Sequence, residues 1–360
     1  MSAVKAPFPY FGGKSEIADA VWSRLGDTPN YVEPFFGSGA VLLNRPHWRT
    51  DKTMLETVND ASGFIANFWR AVQADPDAVA HYADWPVNEN DLHARHGWLV
   101  RQADGLAAKL EGDPDYYDPK IAGWWCWGAA CWIGGGWCSG RGPWQQVETP
   151  DGWQLVHLGN SGQGVNRQLV HLGNSGQGVN RQRVHLMHQG QGVNQAKVAL
   201  AAGGNAGAGE QGLYAWMQAL SERLTRVRVC CGDWSRVCGP TPTFKNGLTA
   251  VFLDPPYTAK AGREADLYEV DCLEVGHAVA DWCKANGDNP LLRIALCGYD
   301  GEYDLPGWDC LAWKAHGGYG MQGNGRGRDN ATKERIWFSP HCLKPATYTN
   351  LSLFDLEVAA

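Results

Sequence analysis

Apolar positions along this chain follow two rhythms. Short, nearly unbroken apolar runs end in Gly, Pro, Asn or Asp, and between them lie stretches whose apolar residues recur at helical spacing. In residues 1–80 the pattern predicts a helix over 15–24, a strand at Tyr31-Val32, a short helix over 40–44, a strand over 54–58 and a helix over 61–73. From about 220 to 340 the alternation resumes, with strands over 227–231, 249–253, 291–296 and 335–338 and a helix near 271–284. Alternating strands and helices predict an α/β domain assembled from the two ends of the chain, 1–80 and 220–345. Residues 346–360 form a tail.

The middle, 81–219, breaks the pattern and predicts an inserted, irregular Trp/Gly-rich lobe. Residues 121–153 hold seven tryptophans (Trp124, Trp125, Trp127, Trp132, Trp137, Trp144 and Trp153) among runs of glycine. Most are expected to pack as the core of that lobe, leaving one or two for base stacking or strand wedging. A 14-residue unit, LVHLGNSGQGVNRQ, then fills 155–168, recurs letter for letter over 169–182 and returns diverged over 183–196. Two readings of it stand: a tolerated surface expansion, or a polar loop whose His, Asn, Gln and Arg side chains touch DNA.

Composition narrows the class. With 44% hydrophobic and 19% charged residues the chain is globular, and a net charge of −7 argues against coating nucleic acid by bulk attraction. Yet 121–209 carries Arg141, Arg167, Arg181, Arg183 and Lys197 against Glu148 and Asp151, a local basic excess. A second basic group, Arg326, Arg328, Lys333 and Arg335, follows a glycine-rich loop and reads as a DNA clamp or as a solvated loop. No segment predicts a membrane span or a signal peptide, so a cytoplasmic protein is expected. The eleven cysteines lack any C-x-x-C pair and read as reduced packing residues, not a metal site.

Five motifs carry chemistry. Tyr10-Phe11-Gly12-Gly13-Lys14 places two glycines before a helix-opening lysine, where free amides suit an anionic group. Glu33-Pro34-Phe35-Phe36-Gly37-Ser38-Gly39 runs from a strand into a glycine loop and helix, without the G-K-[ST] of a triphosphate loop. Glu33 there repels phosphate and favours a sulfonium or ammonium. The strand over 54–58 leads into Asn59-Asp60, whose carboxylate suits ribose hydroxyls or a helix N-cap. The strand over 227–231 leads into Gly232-Asp233-Trp234, an acid and a ring that suit adenine or a plain turn.

The fifth motif is the most specific. The run over 249–253 ends in Asp254-Pro255-Pro256-Tyr257, and prolines cannot continue a ladder. A carboxylate, a backbone carbonyl and a ring are thereby set at a strand's carboxyl end, where open α/β sheets bind ligands.

In this order the motifs resemble the N6-adenine-specific DNA methyltransferases of the Dam type, over roughly 5–75 and 225–340. The late segment Glu334-Arg335-Ile336-Trp337-Phe338-Ser339-Pro340 is similar to one in phage- or prophage-borne members. The resemblance implies a Rossmann-like S-adenosylmethionine-dependent methyltransferase sheet with helices on both faces and a target-recognition insertion. The cofactor would lie over the 33–39 loop, with Tyr10, Gly12, Gly13 and Lys14 near its methionine part, Asp60 at the ribose and Asp233 near the adenine. Pro34, Phe35, Gly37, Gly39 and Asp254 would complete that site. Asp254, Pro255, Pro256 and Tyr257 would grip an adenine flipped from double-stranded DNA, and a monomer would act without a metal. The rivals are methylation of cytosine N4 and a non-catalytic DNA-binding protein on the same fold.

Overall fold

The computed structural model describes residues 5–8, 14–48, 53–103, 105–132, 137–138, 144–149, 152–157, 209–256, 273–313 and 333–344. Tyr10, Gly12, Gly13, Arg141, Arg167, Arg181, Arg183, Tyr257, Arg326 and Arg328 lie outside these residues, as do the repeats beyond His157.

Nine strands fall among the described residues: β1 (Asn30–Glu33), β2 (Leu55–Asp60), β3 (Trp144–Thr149), β4 (Gly152–His157), β5 (Val227–Cys231), β6 (Thr249–Leu253), β7 (Leu292–Tyr299), β8 (Asp309–Ala312) and β9 (Glu334–Phe338). Seven form one sheet in the order β5-β2-β1-β6-β7-β9-β8, while β3 and β4 pair as a separate hairpin. β5, β2, β1, β6 and β7 are mutually parallel. β9 runs antiparallel to both β7 and β8. The mixed α/β fold is consistent with that of a methyltransferase.

The strands at the centre read as continuous apolar runs because both faces are covered. Every residue of β1 and β6 is buried. Side chains alternate between two cores. Tyr31, Ala250 and Phe252 join one cluster, whereas Val32, Val251 and Leu253 join the other. The first cluster is filled by α1 (Ala18–Leu25), α3 (Gly63–Ala74) and the helices beyond it, and the second by α9 (Leu273–Asn286).

The stretch expected to be irregular is largely helical up to residue 131. α4 (Pro76–Ala83), α5 (Glu89–Ala103), α6 (Leu106–Gly112) and α7 (Pro119–Cys131) follow α3, and α8 (Gly209–Leu224) leads back to β5. Capping starts two of them. Asp75 accepts from the Ala78 N–H and Asp118 from the Ile121 N–H, each with a proline in the first helical turn. This block shares the first core instead of building its own: Phe8, Phe68 and Trp125 pack edge-on, with centroids 5.0 and 4.8 Å from Phe8. Trp125, Trp127 and Trp132 are buried, in keeping with a packing role.

A buried ion network ties β2 to the helices. Glu56 accepts from Arg223 at 2.8 Å through both carboxylate oxygens and from Arg45 at 3.1 Å. Arg223 also donates to the Leu42 carbonyl, at the end of α2 (Ala40–Leu43). Among the described residues ten cysteines are free thiols, and no cluster of His, Cys, Asp and Glu suits a metal. No described helix is long and apolar enough to cross a membrane.

Candidate active site

Parallel pairing brings four acids from distant parts of the chain to one sheet edge. Because β5, β2, β1 and β6 are neighbours in that order, Asp233, Asp60, Glu33 and Asp254 stand along their carboxyl ends in the same order. The chain leaves β1 toward β2 while β6 lies on its other side, so Glu33 and Asp254 flank the topological switch point where open α/β sheets bind ligands.

The loop after β1 is shaped by its glycines. Gly37 and Gly39 have φ of 48° and 63°, and a Cβ on Gly39 would stand 2.7 Å from the Phe36 ring. Asp60 holds this loop: one carboxylate oxygen accepts from the Gly37 N–H and the other from the Ser62 N–H, each at 2.9 Å. Asp60 is not the N-cap of α3, a position held by Ser62. The Asp60 carboxylate steadies the entry to α3 and has acceptor sites left beyond those two bonds. Burial pushes its carboxyl up to about 6, against those two amides. Asn59 stitches two strand-end loops together by donating to the carbonyls of Pro34 and Gly232, at 3.1 and 2.9 Å.

Glu33 is buried and accepts from the Tyr31 hydroxyl at 2.8 Å. Burial pushes its carboxyl up to about 8; the Tyr31 hydrogen bond opposes the rise and the charge of Asp254 adds to it. Tyr31 sits two residues away on the same strand, hence on the same face. That spacing was the signal available for it in the sequence.

Asp233 is exposed and caps the turn over Trp234–Val237, accepting from the Ser235 N–H at 2.9 Å. Behind it the Trp234 ring stacks on Phe35, with centroids 6.2 Å apart and planes 27° from parallel. An aromatic wall thus lines the β1 side of the edge.

Lys14 departs furthest from a simple anion-binding turn. It is buried, and its Nζ lies 3.1 Å from Asp254 Oδ2 and 4.0 Å from Glu334 Oε2. The Trp313 ring centroid is 5.6 Å from the same nitrogen. Glu334 and Trp313 were given no role by the motifs. Pro255 and Pro256 follow Asp254 as expected, while Lys333 is exposed and Arg335 pairs with Asp300 at 3.1 Å.

The arrangement offers hydrogen-bond acceptors, an aromatic face and a glycine loop carrying acids, with no Lys or Arg in the loop to hold phosphate. Comparison with known proteins agrees with this chemistry over part of the chain. Two curated relatives, DNA adenine methylases of Vibrio cholerae serotype O1 (classical Ogawa O395 and El Tor Inaba N16961), are each 29% identical over 92 residues. The match covers 25% of this chain and 31% of each relative, so it spans about a third of their length. Neither relative supports the phage origin suggested by the late segment. Residues 10–98, which carry Lys14, Glu33, the glycine loop and Asp60, match the model of the D12 class N6 adenine-specific DNA methyltransferases.

Proposed function

We propose that this chain transfers a methyl group from S-adenosylmethionine to the N6 amine of adenine in double-stranded DNA. The observation that carries the reading is Asp254, held by Lys14 at the carboxyl end of β6 and set across the switch point from Glu33 and its glycine loop.

The residues present fit the cofactor. Gly37 and Gly39 let backbone approach a ligand without a Cβ in the way, and the Asp254 carboxylate suits a sulfonium where a phosphate would be repelled, while Glu33, protonated below about 8, offers a neutral acceptor beside it. Asp60 would take the ribose, and Asp233 with the Phe35–Trp234 pair would take the adenine. Bound there, S-adenosylmethionine supplies an electrophilic methyl group.

The chain's own part is to prepare the amine. The lone pair of an exocyclic amine is delocalised into its ring, which makes it a poor nucleophile. Hydrogen bonds from its two N–H groups to the Asp254 carboxylate and the Pro255 carbonyl favour a pyramidal nitrogen with a directed lone pair. As the nitrogen–methyl bond forms, the sulfur–methyl bond of the cofactor would break and S-adenosylhomocysteine would leave. Positive charge develops on nitrogen, where a preorganised carboxylate lowers the barrier, and an N–H proton is then lost to solvent. The base reaches this edge only when flipped from the duplex, with Tyr257 as its stacking ring and Arg141, Arg167, Arg181, Arg183, Arg326, Arg328 and Lys333 as candidate DNA contacts. The division into a catalytic part (1–80 and 220–345) and a recognition part (81–219) belongs to the same proposal.

Expression in a host free of DNA methylation, followed by base-resolution mapping, tests this directly. N6-methyladenine in the host DNA is the expected result. N4-methylcytosine alone would move the substrate to cytosine, and unmodified DNA would favour a binding protein.

A further inference from the structure

Glu334 belongs to a strand that does not touch β6, yet it reaches the same site. β9 runs antiparallel to β7, with Glu334 paired to Tyr299, so its first residue stands at the edge where the parallel strands end. The Glu334 side chain is 8% exposed and that of Lys14 is 5% exposed. The Glu334 carbonyl also accepts from the Trp313 N–H at 3.2 Å, bracing the ring that stands beside Lys14. One residue thus contacts the lysine through its side chain and fixes its aromatic neighbour through its backbone.

The charges explain why a second acid is useful. An ammonium this buried needs partners, because desolvating it costs several kcal/mol. Paired with Asp254 alone it would cancel the charge that makes Asp254 a strong acceptor. Shared with Glu334, it anchors Asp254 while the three groups together keep one negative charge. That remaining charge favours a transition state that gains positive charge on the amine.

We propose that Glu334 is a positioning residue for the transfer reaction: it shares Lys14 with Asp254 and so holds Asp254 in place without quenching it. The proposal rests on the function inferred above.

The test uses the full chain with S-adenosylmethionine and duplex DNA, comparing wild type, Glu334→Gln, Glu334→Asp, Lys14→Met and the Lys14→Met/Glu334→Gln double variant. Glu334→Gln is expected to lower kcat about tenfold with KM for the cofactor within about twofold. Glu334→Asp, which keeps the charge, is expected at about a threefold loss. In the Lys14→Met background Glu334→Gln is expected to change kcat by less than about twofold, since its effect passes through the lysine. Wild-type kcat in Glu334→Gln overturns the proposal, as does a loss in the Lys14→Met background as large as in wild type. Should Glu334→Gln fail to fold, Glu334→Asp decides: a wild-type kcat overturns the proposal and a threefold loss at constant KM supports it. An inactive wild-type chain overturns the methyltransferase reading itself and Glu334's role with it; an active one with unaffected variants overturns Glu334's role alone.

Discussion

Lys14 Nζ sits 3.1 Å from Asp254 Oδ2, joining an amino-terminal turn to the end of β6. A role for Lys14 through this pair and one at the cofactor's methionine part separate kinetically. Lys14→Met is expected to lower kcat at least about tenfold while the cofactor's dissociation constant stays within about twofold. Calorimetric titration with single-turnover rates checks this, and weakened binding at constant rate would return Lys14 to the cofactor.

Gly39 adopts φ of 63° against the Phe36 ring. Alanine there meets backbone strain of about 1–3 kcal/mol and a clash with that ring. Gly39→Ala is expected to weaken cofactor binding about tenfold or more, with far-ultraviolet circular dichroism unchanged. Wild-type affinity would mean that the loop does not receive the cofactor.

Glu33 makes stability depend on pH. Its carboxyl titrates near 8 in the folded chain and at its ordinary value, 4.5, when unfolded. The folded state therefore binds the extra proton between those values, and this contribution is present below about 4.5 and lost as pH rises through about 8. One proton sets a slope of at most about 1.4 kcal/mol per pH unit. Glu33→Gln, neutral at every pH, is expected to flatten that slope in denaturant unfolding between pH 5 and 8. An unchanged slope would place the titration elsewhere.

Arg223 and Arg45 share the buried carboxylate of Glu56. Removing one partner leaves charge uncompensated in the interior. Arg223→Ala is expected to destabilise the chain by about 3–5 kcal/mol in urea unfolding. A change under about 1 kcal/mol would show that water reaches the network.

Much of the sheet was legible because its central strands, β1 and β6, are buried on both faces and β7 beside them is rich in apolar residues. Thr249–Leu253 and Val227–Cys231 coincide with the runs read from the sequence, and Asp254 and Asp60 fall at strand ends as expected. β2 extends further, to Asp60, through polar residues that carry no apolar signal, and β7 runs on to Tyr299 across Gly298, which reads as a break. The helix at Pro119–Cys131 was missed because IAGWWCWGAAC is apolar on every side and so has no period, although Asp118-Pro119 marked its start. The contacts of Lys14 with Asp254 and Glu334, like those of Glu56 with Arg223, were not legible. They join residues far apart in the chain, and nothing local marks which charges will be buried together.

The most direct measurement is methyl transfer by the purified chain from isotopically labelled S-adenosylmethionine to duplex DNA, read as modified nucleosides by mass spectrometry for wild type and Asp254→Ala. Labelled N6-methyladenine from the wild type, with a loss of about a hundredfold or more in a variant that still binds cofactor, is the predicted result. Wild-type turnover by Asp254→Ala would contradict the account.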